Sequence, residues 1–573
     1  MKRSKLLTSL WEFQQSDGYI SDKAIAEISQ KLKVSKIEIE GVVTFYHFFH
    51  RQPTGKYIIY LNNSIISEHK GFSTIKASFE KETNCTCGQT NYNGMFSIFE
   101  TACIGLSDQE PAALINFFPF TNLTPAKVKL IIEQLKSGAD LKAISDKYSS
   151  KIQFTPPEDK TVFFRAYNIG AAIKKLKDTS PQEVLNNLKN IKLAGRGGAF
   201  FPTALKWEHS QKSPHKTKYI ICNADEGEPG TFKDKALLNN LPGLALEGMI
   251  TAAFVTGAQK GYIYLRAEYS YLIPIIEATI HKFYQNGYLG KNCCGIESFN
   301  FDIDIQLGAG AYVCGAESAL IESIEGKRGI PRIRKYFPTE YGLFGRSTIV
   351  NNVETLVMAA RIIELEPAFF KNIGTNKSKG TKLLSVSGDV AKPGIYEIEW
   401  GISVNEILHK SQATSPYYIQ LSGPSGECIN KSEFERQICK EDLLCGGSIM
   451  VFSKSRSIIQ ILENFITFFK TESCGNCTPC RAGTQILHEK IKKLKKGLCT
   501  KKDLEDVKQW GQIMRLTSKC GLGQYAAQTF AMAIEKFPEY FNLKIIDESD
   551  NKFVEFDMET AVFDYDLLIK NSQ

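Results

Sequence analysis

The sequence predicts an α/β multidomain protein, on three observations. At 573 residues the chain is too long for a single hydrophobic core. Its apolar spacing switches repeatedly between the helical three-to-four repeat and the two-residue alternation of strands. The longest block, about 160 to 375, alternates glycine-rich loops, short apolar strands and helices, as a mixed α/β domain does.

Taken in order, residues 1–54 predict a helical segment, with Ser21 as a helix N-cap in "SDKAIAEISQKL". Residues 55–120 predict a small α/β layer: "KYIIYLNN" and "GMFSIFE" as strands, "STIKASFEKET" as a helix between them and "PAALINF" as a further strand. A helical linker over 121–160 ends in the polar stretch "SSKIQFTPPEDK". Residues 161–375 form the large α/β block. Residues 376–455 are strand-rich ("TKLLSVSGDV", "GIYEIEW", "SIMVFSK") around one helical piece, "SVNEILHK", which predicts a β-grasp-like module. Residues 456–540 are helical again, and 541–573 form a C-terminal tail.

Composition narrows the function. Lys plus Arg is 70 and Asp plus Glu is 62, a mild net +8. The densest basic stretch, "EKIKKLKKGLCTKK", has no interleaved aromatics for stacking bases, so it reads as a solvated helix face and not a nucleic-acid site. The start lacks a signal-peptide cleavage pattern. The most apolar stretch, "LPGLALEGMITAAFVTGAQKG", carries Glu247 and is too short to span a bilayer. A soluble, cytoplasmic protein without membrane insertion is expected. The 15 cysteines then suggest metal ligation or burial in place of disulfides.

"ESCGNCTPCRAGT" spaces Cys474, Cys477 and Cys480 so that one turn delivers three sulfurs to one centre. Zinc sites use separated pairs, whereas a triplet plus one distant Cys is the usual [4Fe–4S] arrangement. The fourth ligand is Cys499, in a lysine-rich turn expected to face water, or Cys520 in "TSKCGLGQYAA". Gly521 and Gly523 favour Cys520, because they let the backbone approach a cluster.

Four further stretches suit a nucleotide. "LAGRGGAFFPTALKW" places Gly195, Gly197 and Gly198 around Arg196, so that backbone N–H groups and a guanidinium can meet a phosphate, with Lys206 downstream. "KYIICNADEGEPGTFKD" empties a strand into Asn223, Asp225, Glu226 and Glu228, carboxylates and an amide able to bond sugar or ribityl hydroxyls. "GAGAYVCGAESALIESIEG" runs into a helix near Gly315, and "VNNVETL" puts Asn351 and Asn352 at another helix start.

Together "GRGGA", "NADEGEPGTFKD", "GAGAYVCG", "NNVET" and "ESCGNCTPCR" resemble, in the same order, the NADH-binding flavoprotein subunit of respiratory complex I and its soluble relatives. "FYHFF", "GKYIIYLNNS", "FETACIGLSDQEPAALI", "KPGIYEIEWG" and "QLSGPSGEC" are similar to the diaphorase subunit of soluble NAD-reducing [NiFe] hydrogenases. The resemblance implies a thioredoxin-like domain at 55–120, an FMN/NAD-binding domain at 161–375, an SLBB β-grasp-like domain at 376–455 and a [4Fe–4S] helical domain at 456–540. It implies FMN contacts at Gly195, Arg196, Gly197, Gly198, Lys206, Asn223, Asp225, Glu226, Gly315, Asn351, Asn352 and Thr355. NAD(H) contacts fall at Phe201, Glu228, Glu317 and Phe337. Electrons pass between NAD(H), FMN and the cluster, with Glu228 and Glu317 orienting NAD and no protein acid or base required. The implied partners are a small iron–sulfur diaphorase subunit and the [NiFe] hydrogenase subunits. Complex I or an NAD-dependent formate dehydrogenase is the alternative setting.

The chain departs from the family pattern in places. Phe200 and Ala204 stand where glycines are usual, Ala316 replaces an acid, and Arg334-Lys335-Tyr336 replaces a stretch with one lysine and two prolines. A phenyl ring at 200 is expected to crowd NAD or reshape the loop, and this motivates a rival reading: an electron-transfer scaffold with weakened NAD binding. In the N-terminal domain the four [2Fe–2S] ligand positions hold Asn62, Ser67, Cys103 and Ser107, so no [2Fe–2S] cluster is expected there. Cys85 and Cys87 are expected to be incidental.

Overall fold

The computed structural model describes residues 2–333 and 335–546. Arg334 and almost all of the tail expected over 541–573 lie outside the described residues.

The first helices, Leu6–Asp17, Asp22–Leu32 and Lys36–Val43, form because their apolar residues share a face, and the second and third have side-chain caps at their starts. Ser21 Oγ accepts from Ala24 N–H (3.1 Å), and Ser35 with Glu38 makes a capping box. This segment packs on the glycine-rich Gly308–Gly315 turn. Trp11 Nε1 donates to Gly308 O (3.0 Å), and the N–H groups of His47 and Phe48 donate to Gly310 O and Ala309 O.

The small sheet runs in the order Phe96–Thr101, Tyr57–Asn62, Ala113–Ile115, Phe118–Phe120; its first pair is parallel and the others antiparallel. Helix Phe72–Thr83 covers it, and so does Pro125–Lys136, whose Val128, Ile131, Ile132 and Leu135 enter the same core. The segment expected as linker thus splits. Its helix belongs to the small α/β layer, whereas Ile152–Phe154 adds an edge strand to the β-grasp sheet.

The large block is built on four parallel strands in the order Asp302–Leu307, Lys260–Leu265, Tyr219–Ala224, Thr348–Asn352. The chain moves outward from Tyr219–Ala224 in one direction and then returns to its other side. This makes a topological switch point between Tyr219–Ala224 and Thr348–Asn352, where open α/β sheets bind ligands at the strands' carboxyl ends. Helix Pro242–Thr256 is buried on every side, which is why its sequence is apolar throughout. Its Glu247 accepts from the N–H groups of Gly170 (2.7 Å) and Ala172 (3.0 Å) at a helix start. No helix among the described residues is long and apolar enough to cross a membrane.

The β-grasp sheet orders Glu427–Ile429, Pro416–Leu421, Ser448–Ser453, Thr381–Gly388, Gly394–Glu399 and Ile152–Phe154 around helix Val404–Lys410. Helices Ile458–Glu472, Thr478–Lys495, Lys501–Thr517 and Gln528–Lys536 complete the C-terminal part.

Candidate functional site

The switch point gathers the expected residues. Asn223 and Asn352 are register partners on adjacent strands. Asn223 Nδ2 donates to Gly315 O (2.8 Å), which ties the acidic loop to the Gly308–Gly315 turn. Asn351 Oδ1 accepts from Trp207 Nε1 (2.8 Å). Asn352 caps helix Val353–Phe369, and its Nδ2 donates to Asp234 Oδ2 (2.6 Å). The glycine loop lies on this helix start. Arg196 N–H donates to Thr355 Oγ1 (2.9 Å), and a Cβ on Gly197 would press on Asn352 at 3.2 Å.

Two side chains do not play the expected part. The Arg196 guanidinium does not supply charge at a phosphate. It is buried between the rings of Phe163 and Trp400, paired with Glu354 and bonded to Thr381 O. The carboxylate of Glu226 is likewise spent. It accepts from Asp234 N–H (2.9 Å), Lys235 N–H (3.2 Å) and Tyr269 OH (3.0 Å), so most of its acceptor capacity fixes the loop. The loop's backbone takes over. The Gly195 and Arg196 N–H groups are bonded internally, whereas those of Gly197 and Gly198 have no acceptor among the described residues.

A flavin mononucleotide fits this cradle. Asp225 Oδ2 is shut from solvent with no hydrogen-bond partner, as an atom awaiting a ligand hydroxyl or amide is. Lys206 Nζ pairs with Glu317 and donates to Val350 O (2.8 Å), so it stands beside the amides.

Burial pushes the Asp225 carboxyl up to about 8, against the pull of Arg266. The folded chain therefore keeps a proton that the unfolded chain, at 3.8, gives up, and stability falls as pH rises through that window. Glu110, raised to about 8, and Glu247, raised to about 7, add to the trend, burial being the main cause for each. We expect the FMN-free protein to have a lower urea midpoint at about pH 8 than at about pH 6. In Asp225→Asn that gap shrinks; an unchanged gap overturns the assignment.

Of the residues expected to contact NAD, Glu228 accepts from Tyr312 OH and from Ser425 N–H (3.0 Å) of the strand-rich module. Sequence reasoning misses Tyr312 and Ser425, although "GAGAYVCG" and "QLSGPSGEC" contain them. Phe201 and Phe337 are 42% and 66% exposed, open to stack on an adenine. Glu317 opens the helix that ends at Ile324, with Ala316 as its N-cap. Ala204 is a buried helix residue.

Phe200 does not crowd this space. Its backbone adopts the left-handed region, φ 52°, and its ring packs against the apolar core of the β-grasp sheet. Phe200→Gly relieves about 1–2 kcal/mol of backbone strain and gives up about as much packing. Stability is expected to stay within about 1 kcal/mol, with no fall in the KM for NADH. A clear fall would restore the crowding argument.

Cys474, Cys477, Cys480 and Cys520 line one small cavity with Val313, Pro331, Ser473 and Leu522. Burial, helped by the three other sulfurs, pushes the Cys480 thiol up to about 12. Four thiols spread around one cavity suit a polynuclear centre. Cys499 is fully buried and not water-facing as expected; its Sγ contacts Thr500 O outside this cavity.

In the N-terminal domain, Asn62 Nδ2 donates to Glu110, and Cys103 Sγ lies 3.5 Å from Ser107 Oγ. Cys85 is buried, with its Sγ 3.2 Å from Gln89 O.

A thioredoxin-like layer, a parallel-sheet nucleotide crevice and a four-cysteine cavity on one chain define a flavin- and iron–sulfur-dependent oxidoreductase. The comparisons agree. The Nuo51 FMN-binding domain matches residues 188–361, the NADH-ubiquinone oxidoreductase-F iron-sulfur binding region matches 460–544, and the thioredoxin-like [2Fe-2S] ferredoxin family matches 1–136. The last match runs against the expectation that the N-terminal domain holds no cluster.

The alpha subunit of the NAD-reducing hydrogenase HoxS of Cupriavidus necator is 42% identical, over 99% of this chain and 96% of its own. One subunit of the NADH-quinone oxidoreductase of Aquifex aeolicus is 37% identical, over 64% and 87%. The NADP-reducing hydrogenase subunit HndC of Solidesulfovibrio fructosivorans is 36% identical, over 69% and 82%. A crystal structure of NAD+-reducing [NiFe]-hydrogenase in the H2-reduced state superposes with a TM-score of 0.90 at 35% identity, over 99% of this chain and 96% of that one. The chain belongs to the family of flavoprotein (diaphorase) subunits of NAD-reducing hydrogenases, which is related to the corresponding subunits of NADH-quinone oxidoreductase.

Proposed function

We propose that the chain is the diaphorase module of a cytoplasmic NAD-reducing [NiFe] hydrogenase (H2 + NAD+ = H+ + NADH), carrying electrons between NAD(H) and a [4Fe–4S] cluster. FMN, when bound, exchanges hydride with nicotinamide and single electrons with iron, which links the two chemistries. A small iron–sulfur diaphorase subunit and the hydrogenase subunits are its partners. The FMN-binding region is 161–375, the β-grasp module 376–455 and the cluster region 456–540.

One observation supports this reading: Glu228 and the four-cysteine cavity share a wall. Tyr312 holds Glu228 through its hydroxyl, and its own N–H donates to Glu472 Oε2 (2.9 Å), two residues before Cys474. Its neighbour Val313 lines the cysteine cavity.

Within that frame the residues divide the work. Gly197 and Gly198 offer N–H groups, and Lys206 offers charge, to the flavin phosphate. Asn223 and Asp225 bond the flavin's polar edge. Phe201 and Phe337 hold the adenine, and Glu228 and Glu317 orient the dinucleotide. Cys474, Cys477, Cys480 and Cys520 hold the cluster.

We infer further that the N-terminal domain keeps the thioredoxin-like fold without its [2Fe–2S] cluster. One thiolate, Cys103, stands among Asn62, Ser67 and Ser107, and Asn62 is engaged with Glu110. The test is NADH-dependent ferricyanide reduction by the purified chain with FMN restored, alongside iron analysis and EPR. Turnover with one [4Fe–4S] signal supports the reading. Flavin without turnover overturns the NAD assignment, and a second, [2Fe–2S] signal overturns the empty N-terminal site.

A further inference from the structure

The Cys103–Ser107 loop, whose counterparts in cluster-bearing relatives would ligate iron, faces the flavin side of the molecule here. Arg266 follows strand Lys260–Leu265 and is 5% exposed. Its guanidinium donates to Cys103 O (2.8 Å), to the backbone carbonyl of Glu226 and to the Glu268 carboxylate. It also lies over the ring of Tyr269, 5.1 Å from the centroid. Tyr269 is fully buried, and its hydroxyl donates to Glu226 Oε2 (3.0 Å). Gly105 packs directly on that ring. It has φ 73°, and a Cβ there would come within 2.1 Å of the Tyr269 hydroxyl oxygen. Both ends of Glu226, carbonyl and carboxylate, are therefore held by two residues that the N-terminal loop presses into place.

We propose that the Cys103–Ser107 loop is a brace for the flavin-site loop, with Arg266 and Tyr269 as positioning residues for Glu226. The thioredoxin-like domain thereby helps set how the FMN site is shaped. Glu226 lies between Asp225 and Gly227 and cannot move without moving both. The N–H groups of Asp234 and Lys235 alone allow its carboxylate to swing about the helix start; the tyrosine hydroxyl removes that freedom. The proposal rests on the reading of Asn223–Glu228 as a wall of the FMN site.

The experiment measures FMN binding to the full-length, FMN-depleted chain by flavin fluorescence, together with the flavin midpoint potential and the [4Fe–4S] EPR signal. Tyr269→Phe removes one hydrogen bond to a buried carboxylate and is expected to weaken FMN about tenfold. The flavin potential moves and the cluster signal is unchanged. Gly105→Ala displaces Tyr269 and is expected to weaken FMN to a similar degree. The double variant is then no worse than the weaker-binding single, since both act through one contact. Cys103→Ala keeps FMN affinity within about twofold, because the loop's contact with Arg266 is a carbonyl.

Wild-type affinity and potential in Tyr269→Phe overturn the brace, as does full additivity with Gly105→Ala or a large loss in Cys103→Ala. If Gly105→Ala fails to fold, Tyr269→Phe decides alone. Failure of the unmutated chain to bind FMN is a different result: it overturns the flavin-site reading itself.

Discussion

Cys520→Ala is expected to abolish the iron–sulfur centre, whereas Cys499→Ala is expected to leave it intact. This is the largest effect expected of any single cysteine. The four sulfurs at 474, 477, 480 and 520 line a common cavity, and Cys520 is the member that comes from a separate helical turn. It is the N-cap residue of Gly521–Tyr525, and burial pushes its thiol up, against the opposing pull of the Gly523 and Leu522 N–H groups. A cubane with three thiolates on one loop and none opposite has one iron open to exchange and loss, so iron content and the EPR signal fall together. Cys499 is buried elsewhere, in the short strand Cys499–Thr500. Loss of the centre in Cys499→Ala, or its survival in Cys520→Ala, reverses the ligand assignment.

The gathering of Cys474, Cys477, Cys480 and Cys520 around one cavity is legible in the sequence because cysteine spacing is a local property. Three cysteines within one short loop need no knowledge of the fold, and Gly521 and Gly523 choose between two candidates for the fourth. The crevice is legible in outline for a similar reason, since strand-end polar residues and glycine loops mark it locally. Sequence does not show which way side chains turn once the core is packed. Arg196 sits among loop glycines and reads as charge for a phosphate, yet two aromatic rings and a carboxylate from distant segments draw it inward. Phe200 reads as obstructive until the apolar core of the β-grasp sheet, far downstream in the chain, shows where its ring goes. The helix Pro125–Lys136 reads as part of a linker because its amphipathic face matches any core. Only the sheet it covers shows which one.

Glu354→Ala is expected to be the most destabilising single change near the flavin site. The side chain is fully buried near the start of helix Val353–Phe369, where it meets three cations. Arg196 of the glycine loop lies 3.1 Å away, Lys233 3.1 Å away, and Lys382 of the β-grasp sheet is in direct contact. All three are buried, and Asp234 on Lys233 (2.6 Å) is the other close carboxylate. Removing Glu354 leaves three buried cations with one partner, a loss of about 3–5 kcal/mol for breaking such a pairing. Because the cations come from three segments, the damage also loosens the glycine loop against the β-grasp module, and FMN affinity falls with stability. Urea unfolding followed by tryptophan fluorescence reads this locally, since Trp400 is buried against the Arg196 guanidinium.

The pH dependence separates charge from packing. Burial alone would raise the Glu354 carboxyl, but Lys382, Lys233 and Arg196 outweigh it and hold it at about 2, below its ordinary 4.5. The unfolded chain therefore takes up the proton first as pH falls, so this contribution is complete above 4.5 and disappears toward 2. Glu354→Gln keeps the volume and an acceptor for Leu383 N–H (3.2 Å) but lacks the charge. It should show the neutral-pH loss without the acid-side slope. If both variants unfold at the wild-type urea midpoint, the three cations are neutralised some other way and Glu354 does not hold these segments together.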